Sequence, residues 1–177
     1  MDRYPSLVEY RRAISKPSVA FAHHEFLAQG KILSDDRGIP EMSSGGFVCV
    51  ARIQSDEENL WVLRMFTNPQ THLKERYTAV NELLPKNWLL EAYFIEDGIR
   101  LDSFEETVPM VVMRFAKGPT LRKFLFDACV RSDTRLVKKL HQSFSTMRNE
   151  IKLSGLVHGD LSPDNLIVTN DNEIQIK

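Results

Sequence analysis

Cysteine is scarce in this chain, with only Cys49 and Cys129 among 177 residues. Two thiols cannot frame a disulfide-stapled scaffold, so stability must come from apolar packing. Long apolar runs are missing as well. "VPMVVM" is among the longest, far short of the ~20 residues a membrane-spanning helix needs. Nor is there an excess of one charge: 23 Lys and Arg stand against 24 Asp and Glu, a formal net charge of -1. No broad positive field favours nucleic acid or an anionic membrane as a partner. The opening "MDRYPSLVEYRRAI" is charged throughout and lacks the apolar centre of a secretion signal. Together these absences point to a cytoplasmic protein. What is present is ordinary for a globular domain, 42% hydrophobic and 27% charged residues in a chain long enough to bury a real core.

Residues 1–42 read as a mixed lead-in, with a helix around Leu7 to Ile14 and turns at Lys16-Pro17 and Gly38-Ile39-Pro40. From Phe47 the pattern becomes strand-like. "FVCVARI" and "LWVLRMF", joined by the polar "QSDEEN", predict an antiparallel hairpin. "HLKERYTAVNELL" carries Leu73, Tyr77, Val80 and Leu84 at helical spacing. "WLLEAYFIEDGIRL" predicts two strands around an Asp97-Gly98 turn, and "VPMVVMRF" a further strand that enters the Lys117-Gly118-Pro119 break. A short helix in "TLRKFLFDACV" and a long one from Arg135 to Leu153 follow, the latter ending at Ser154-Gly155. "NLIVT" and "EIQIK", around Asn170-Asp171-Asn172, predict a small closing hairpin.

Chemistry concentrates in "HGDLSPDN", a polar loop between the long helix and that hairpin. Asp160 is a carboxylate that can take a proton, and Asn165, five positions on, offers an amide oxygen to a hard cation. That pair suits phosphoryl transfer, which needs positioning and charge stabilisation more than covalent chemistry. The pattern His-x-Asp-Leu-x-x-x-Asn resembles the catalytic loop of the protein-kinase-like superfamily, which includes protein kinases and small-molecule kinases such as aminoglycoside phosphotransferases. The resemblance implies that Asp160 accepts the proton of a substrate hydroxyl, Asn165 binds magnesium and His158 braces the loop.

Further elements occur in the family's order between about Ser43 and Lys177. "SSGGFVCVARI" is similar to the glycine-rich loop that covers ATP phosphates, placing Ser43, Gly45, Val48 and Val50 on the motif, with Gly46 adjacent. "LWVLRMF" resembles the strand carrying the phosphate-binding Lys, with Arg64 in its place. Arg keeps the charge but is bulkier and forks. The next helix would supply the Glu that pairs with this cation, Glu75 by preference, with Glu82 seven residues on and on the same face. "VPMVVMRFAKGPTL" resembles the last strand of the small lobe and its hinge: Met113 would line the adenine pocket, and the backbone of Arg114, Phe115 and Ala116 would bond the base. The lead-in "GIPEMSSGGF" is also similar to the entry of a bacterial group of atypical serine/threonine kinase-like proteins.

The implied architecture is an α+β, two-lobe kinase-like fold: an extension over 1–42, a five-stranded antiparallel small lobe with one helix over 43–115, and a hinge and partial helical lobe over 116–177. ATP and magnesium are the implied cofactors, and a protein Ser/Thr or small-molecule hydroxyl is the acceptor. Ser162 stands where many protein kinases carry Lys, and His-Gly-Asp is frequent in small-molecule kinases, so the acceptor class stays open. Asp164 is expected to be a solvated loop residue. The chain ends before the family's Asp-Phe-Gly motif, so it is expected to be the N-terminal part of a longer, more active protein. On that view the stripe Leu136, Leu140, Phe144, Met147 and Ile151 would lie uncovered, awaiting the rest of the lobe or a partner. A nucleotide-binding pseudokinase or interaction module is the alternative from a different class.

Overall fold

Helix α1 (Leu7–Ile14) starts where the sequence supplies a reciprocal cap. The Ser6 hydroxyl accepts from Glu9 N–H at 3.4 Å, and the Glu9 carboxylate accepts from Ser6 N–H at 2.9 Å. Arg3 and Ser103 also donate to Glu9, and these bonds hold its carboxyl well below the usual range. The inner face of α1 carries Tyr10 and Ile14, both fully buried. The Tyr10 hydroxyl donates to the Phe66 carbonyl at 2.8 Å, which removes the cost of burying it. Pro17, read from sequence as a turn, instead opens the single-turn helix α2 (Pro17–Ala20), because a proline at the first helical position gives up no hydrogen bond. A second single turn, α3 (Glu25–Ala28), follows. The structure, a computed structural model, describes residues 3–57, 59–84, 87–155, 161–169 and 174–176.

The class is α+β, with a mostly antiparallel sheet and several helices. Strands β1 (Lys31–Ile32), β2 (Met42–Ser44), β3 (Val48–Gln54), β4 (Leu60–Phe66), β5 (Ala92–Ile99) and β6 (Val108–Arg114) form the main sheet. Its order is β1-β3-β4-β6-β5, with β2 also pairing β3. Along one edge of β3, β1 pairs with Ile53 and Gln54 while β2 pairs with Cys49, Val50 and Ala51.

The main sheet therefore has six strands where the sequence predicts five. Strands β1 and β2, of two and three residues, are too short to show a period. The expected hairpin at Asp97-Gly98 is absent: β5 runs straight through it, with a register irregularity between Ile95 and Ile99. Gly98 serves close packing rather than a turn, since a Cβ there would sit 2.5 Å from Met110 Cγ and 3.0 Å from Met110 N.

The chain divides into two compact units, Met1–Tyr77 with Ala92–Phe115, and Thr78–Glu91 with Ala116–Lys177. One boundary falls inside helix α4 (Leu73–Leu83). In unit 1, Tyr10, Ile14, Phe21 and Leu27 from the lead-in join Cys49, Ala51, Ile53, Leu63, Met65, Met110 and Val112 from the sheet in one buried cluster. Each large aliphatic side chain so buried contributes about 1.5–3 kcal/mol. The described lead-in thus contributes side chains to this unit's core.

Unit 2 contains α5 (Leu121–Val130), α6 (Thr134–Ser154) and the hairpin of β7 (Leu166–Val168) with β8 (Ile174–Ile176). Helix α6 opens on an Asp133 cap and closes at Gly155, whose φ is +73°. The stripe expected to be uncovered is covered from Leu140 to Ile151, while Leu136 is half-buried and outside the cluster. Leu140, Met147 and Ile151 are buried with Leu84, Trp88, Leu121, Leu166, Val168, Ile174 and Ile176, and Phe144 packs against the same cluster. Trp88 and both hairpin strands supply the cover that the sequence assigned to missing helices, and the Trp88 indole N–H donates to Glu150.

Candidate functional site

Alternation along the strands decides which residues face the core. Cys49, Ala51 and Ile53 of β3, Trp61, Leu63 and Met65 of β4, and Met110 and Val112 of β6 enter the unit 1 core. Val50 and Arg52, Val62 and Arg64, and Val111 and Met113 therefore occupy the opposite face. Cross-strand register then sets them in rows, because directly paired residues share a face. One row is Ser43, Val50, Arg64, Val111 and Phe94, and its neighbour is Arg52, Val62, Met113 and Ala92. Four residues named from sequence on three motifs, Ser43 and Val50 on the first, Arg64 on the second and Met113 on the third, so stand on one face of one sheet.

The face is a strip of valine and methionine with a cation set in it. Val50, Val62 and Arg64 are half-buried, while Val111 and Met113 are buried. Among the described residues no hydrogen bond or ion pair engages the Arg64 or Glu75 side chain. Lys74, beside Glu75, pairs with Glu96 at 2.8 Å, and Glu75 and Glu82 are exposed. The expected Arg64–Glu75 pair is thus not formed. Val62 and Val111 were not singled out from the sequence, although the period-2 pattern of "LWVLRMF" already puts Val62 beside Arg64.

Strands β2 and β3 turn over at Gly45, Gly46 and Phe47. Gly45 N–H donates to Val48 O at 2.8 Å, and Asn68 Nδ2 donates to Gly46 O at 2.6 Å. Neither glycine has a positive φ. A Cβ on Gly46 would meet nothing within 4 Å, and one on Gly45 only Val48 O at 3.9 Å. The chain's own packing requires neither glycine. At the far end of β6, Phe115 N–H donates to Leu60 O at 2.9 Å and is committed to the sheet. The guanidinium of exposed Arg114 lies 5.4 Å from the Trp61 ring centroid. Ala116 is half-buried and begins unit 2.

In unit 2 the loop before β7 is held from α5. The Arg122 Nε donates to both Asp164 oxygens at 2.8 and 2.9 Å, and Arg122 N–H donates to Pro163 O at 3.2 Å. Asp164 is exposed in the loop, as expected from sequence, and in addition forms an ion-paired tether to Arg122 that raises the guanidinium pKa. Val168 N–H donates to Pro119 O at 3.0 Å, and a Cβ on Gly118 would fall 2.2 Å from Val168 O, so this crossing admits only glycine. Asn165, half-buried, donates its N–H to Ser162 O at 2.9 Å and leads directly into β7. His158 and Asp160 lie outside the described residues, as do residues 170–173 of the expected turn. Among the described residues no group of three His, Cys, Asp or Glu is arranged to hold a metal, and no helix is long and apolar enough to cross a membrane.

No protein-family model matches the chain, and no curated protein matches it in sequence.

Proposed function

We propose that this protein is an ATP-dependent, magnesium-requiring phosphotransferase of protein-kinase-like fold, moving the γ-phosphate of ATP to a hydroxyl, most simply that of a protein Ser or Thr. The observation that carries the reading is the shared face of Ser43, Val50, Arg64 and Met113. A kinase-like site needs these residues on one surface, and motif order alone does not require it. Val50, Val62, Val111 and Met113 supply an apolar floor suited to a purine ring. Arg64, without an ionic partner among the described residues, suits the phosphates. Gly45 and Gly46 let backbone N–H groups approach them without a side chain in between.

Asp160 orients the acceptor hydroxyl and takes its proton as that oxygen attacks the γ-phosphorus, while the bond to the β–γ bridging oxygen breaks and ADP leaves. Asn165 supplies an amide oxygen of the kind magnesium prefers, and the ion when bound neutralises charge on the transferring group.

Thermal melting with MgATP tests the binding half. Ligand at 100 times its Kd stabilises by about 2.7 kcal/mol, so a clear rise in Tm is expected for the native chain and little or none for Arg64→Ala. No rise at millimolar MgATP would refute the reading. Asp160→Asn is expected to abolish phosphotransfer while sparing binding. Binding with no phosphotransfer to proteins or small hydroxyl compounds would instead identify a nucleotide-binding module.

A further inference from the structure

One side chain at the β2–β3 tip has no part in the reading above. Asn68, just past the end of β4, reaches across 22 residues of sequence to donate to Gly46 O at 2.6 Å, and its neighbour Thr67 donates its N–H to Phe47 O at 2.9 Å. Two successive carbonyls of the tip thus accept from the two residues just past β4. No peptide here is cis, and in a trans peptide the carbonyl and the following N–H point in opposite directions. Holding the Gly46 carbonyl toward Asn68 therefore aims the Phe47 N–H away from it. Among the described residues neither Gly46 N–H nor Phe47 N–H donates to any group, and both residues are exposed. Successive unpaired N–H groups at a turn form a concavity suited to an anion. A peptide free to flip would at times present its carbonyl there and repel phosphate.

We infer that Asn68 is a positioning residue. It locks the Gly46–Phe47 peptide so that the tip offers N–H groups, and no carbonyl, to the phosphates of the bound nucleotide. The inference rests on the nucleotide reading above and deepens it. Asn68 touches no phosphate in this account; it acts through the peptide it holds.

The test compares MgATP with adenosine, which shares the base and ribose but has no phosphates. Binding of each is measured to the native chain, Asn68→Ala and Asn68→Asp, the last keeping the shape while adding a charge that repels the Gly46 carbonyl. One hydrogen bond of this kind supports about a 3- to 10-fold effect. Asn68→Ala is expected to weaken MgATP by about that factor and leave both adenosine affinity and Tm unchanged, with Asn68→Asp at least as weak. Equal weakening of adenosine and MgATP would mark Asn68 as a structural brace and overturn the inference. Unchanged MgATP affinity in a chain that binds both ligands would overturn it too, with the nucleotide reading left standing. A native chain that binds neither ligand would remove both.

Discussion

The two units solve the problem of holding a polar group in place by different means. Unit 1 uses a sheet. Once Leu63 and Met65 are committed to the core, Arg64 between them has to emerge on the other face, and register fixes its neighbours to within one residue. Unit 2 uses a loop, and loops have no period. Its described part is held instead by individual bonds from Arg122 and Pro119, and by a glycine crossing too tight for any side chain. A strand-borne site inherits the rigidity of its core, whereas a loop-borne one depends on separate tethers that can be removed singly. Neighbouring positions in unit 1 should therefore have sharply different roles, and positions scattered through unit 2 should share one.

The largest effect that could break this contrast is on stability. Leu63→Ala and Met147→Ala each empty a fully buried site and are expected to cost about 2–5 kcal/mol in denaturant unfolding. Arg64→Ala, one residue from Leu63, should change stability by no more than about 0.5 kcal/mol while removing nucleotide binding. Equal losses at 63 and 64 would mean the two faces are not segregated, and a negligible loss at Met147 would mean the α6 stripe is uncovered after all. Next in size is Gly118→Ala, which should lower Tm and loosen the loop before β7, seen as faster amide exchange at Val168. Protection unchanged from the native chain would show that the crossing is not tight.

The two thiols sharpen the contrast further. Cys49 is buried in the sheet core and Cys129 is exposed on α5, so a maleimide should label Cys129 in the native state and Cys49 only on unfolding. Burial pushes the Cys49 thiol from 9.0 up to about 11. Between those values the unfolded chain ionises at this position and the folded one does not, so this thiol's share of stability is intact below pH 9 and lost as pH rises toward 11. Tyr10 moves in the same direction, also through burial. Cys49→Ala should flatten the decline of Tm over pH 9–11, and an unaltered decline would show that the thiol does not contribute. The smallest effect is that of the exposed Arg122–Asp164 pair. Arg122→Ala should shift Tm slightly at low salt and not at high salt.

Legibility follows the same division. The bounds of β4 and the start and end of α6 could be read closely, because seven alternating residues and a 21-residue helix with a cap at each end each carry a strong signal. Gly98 misled, since glycine after Asp reads as a turn while here it admits a neighbouring strand. The short β1 and β2 left no pattern, yet β2 is what brings Ser43 beside Val50. The α6 stripe was read correctly as apolar and wrongly as uncovered, because Trp88 and the β7–β8 hairpin, distant in sequence, cover it. Asn68 and Arg122 left no trace in the sequence, since single polar side chains bonded across 22 and 42 residues repeat no pattern.

The most direct test of the proposed nucleotide face is an NMR titration of methyl and amide signals with MgATP. Methyl groups of Val50, Val62, Val111 and Met113 and amides of Gly45, Gly46 and Phe47 should move, while Ile53 and Leu63 on the core face stay in place. Saturating MgATP that leaves those valines unshifted, or that shifts both faces alike, would contradict the account.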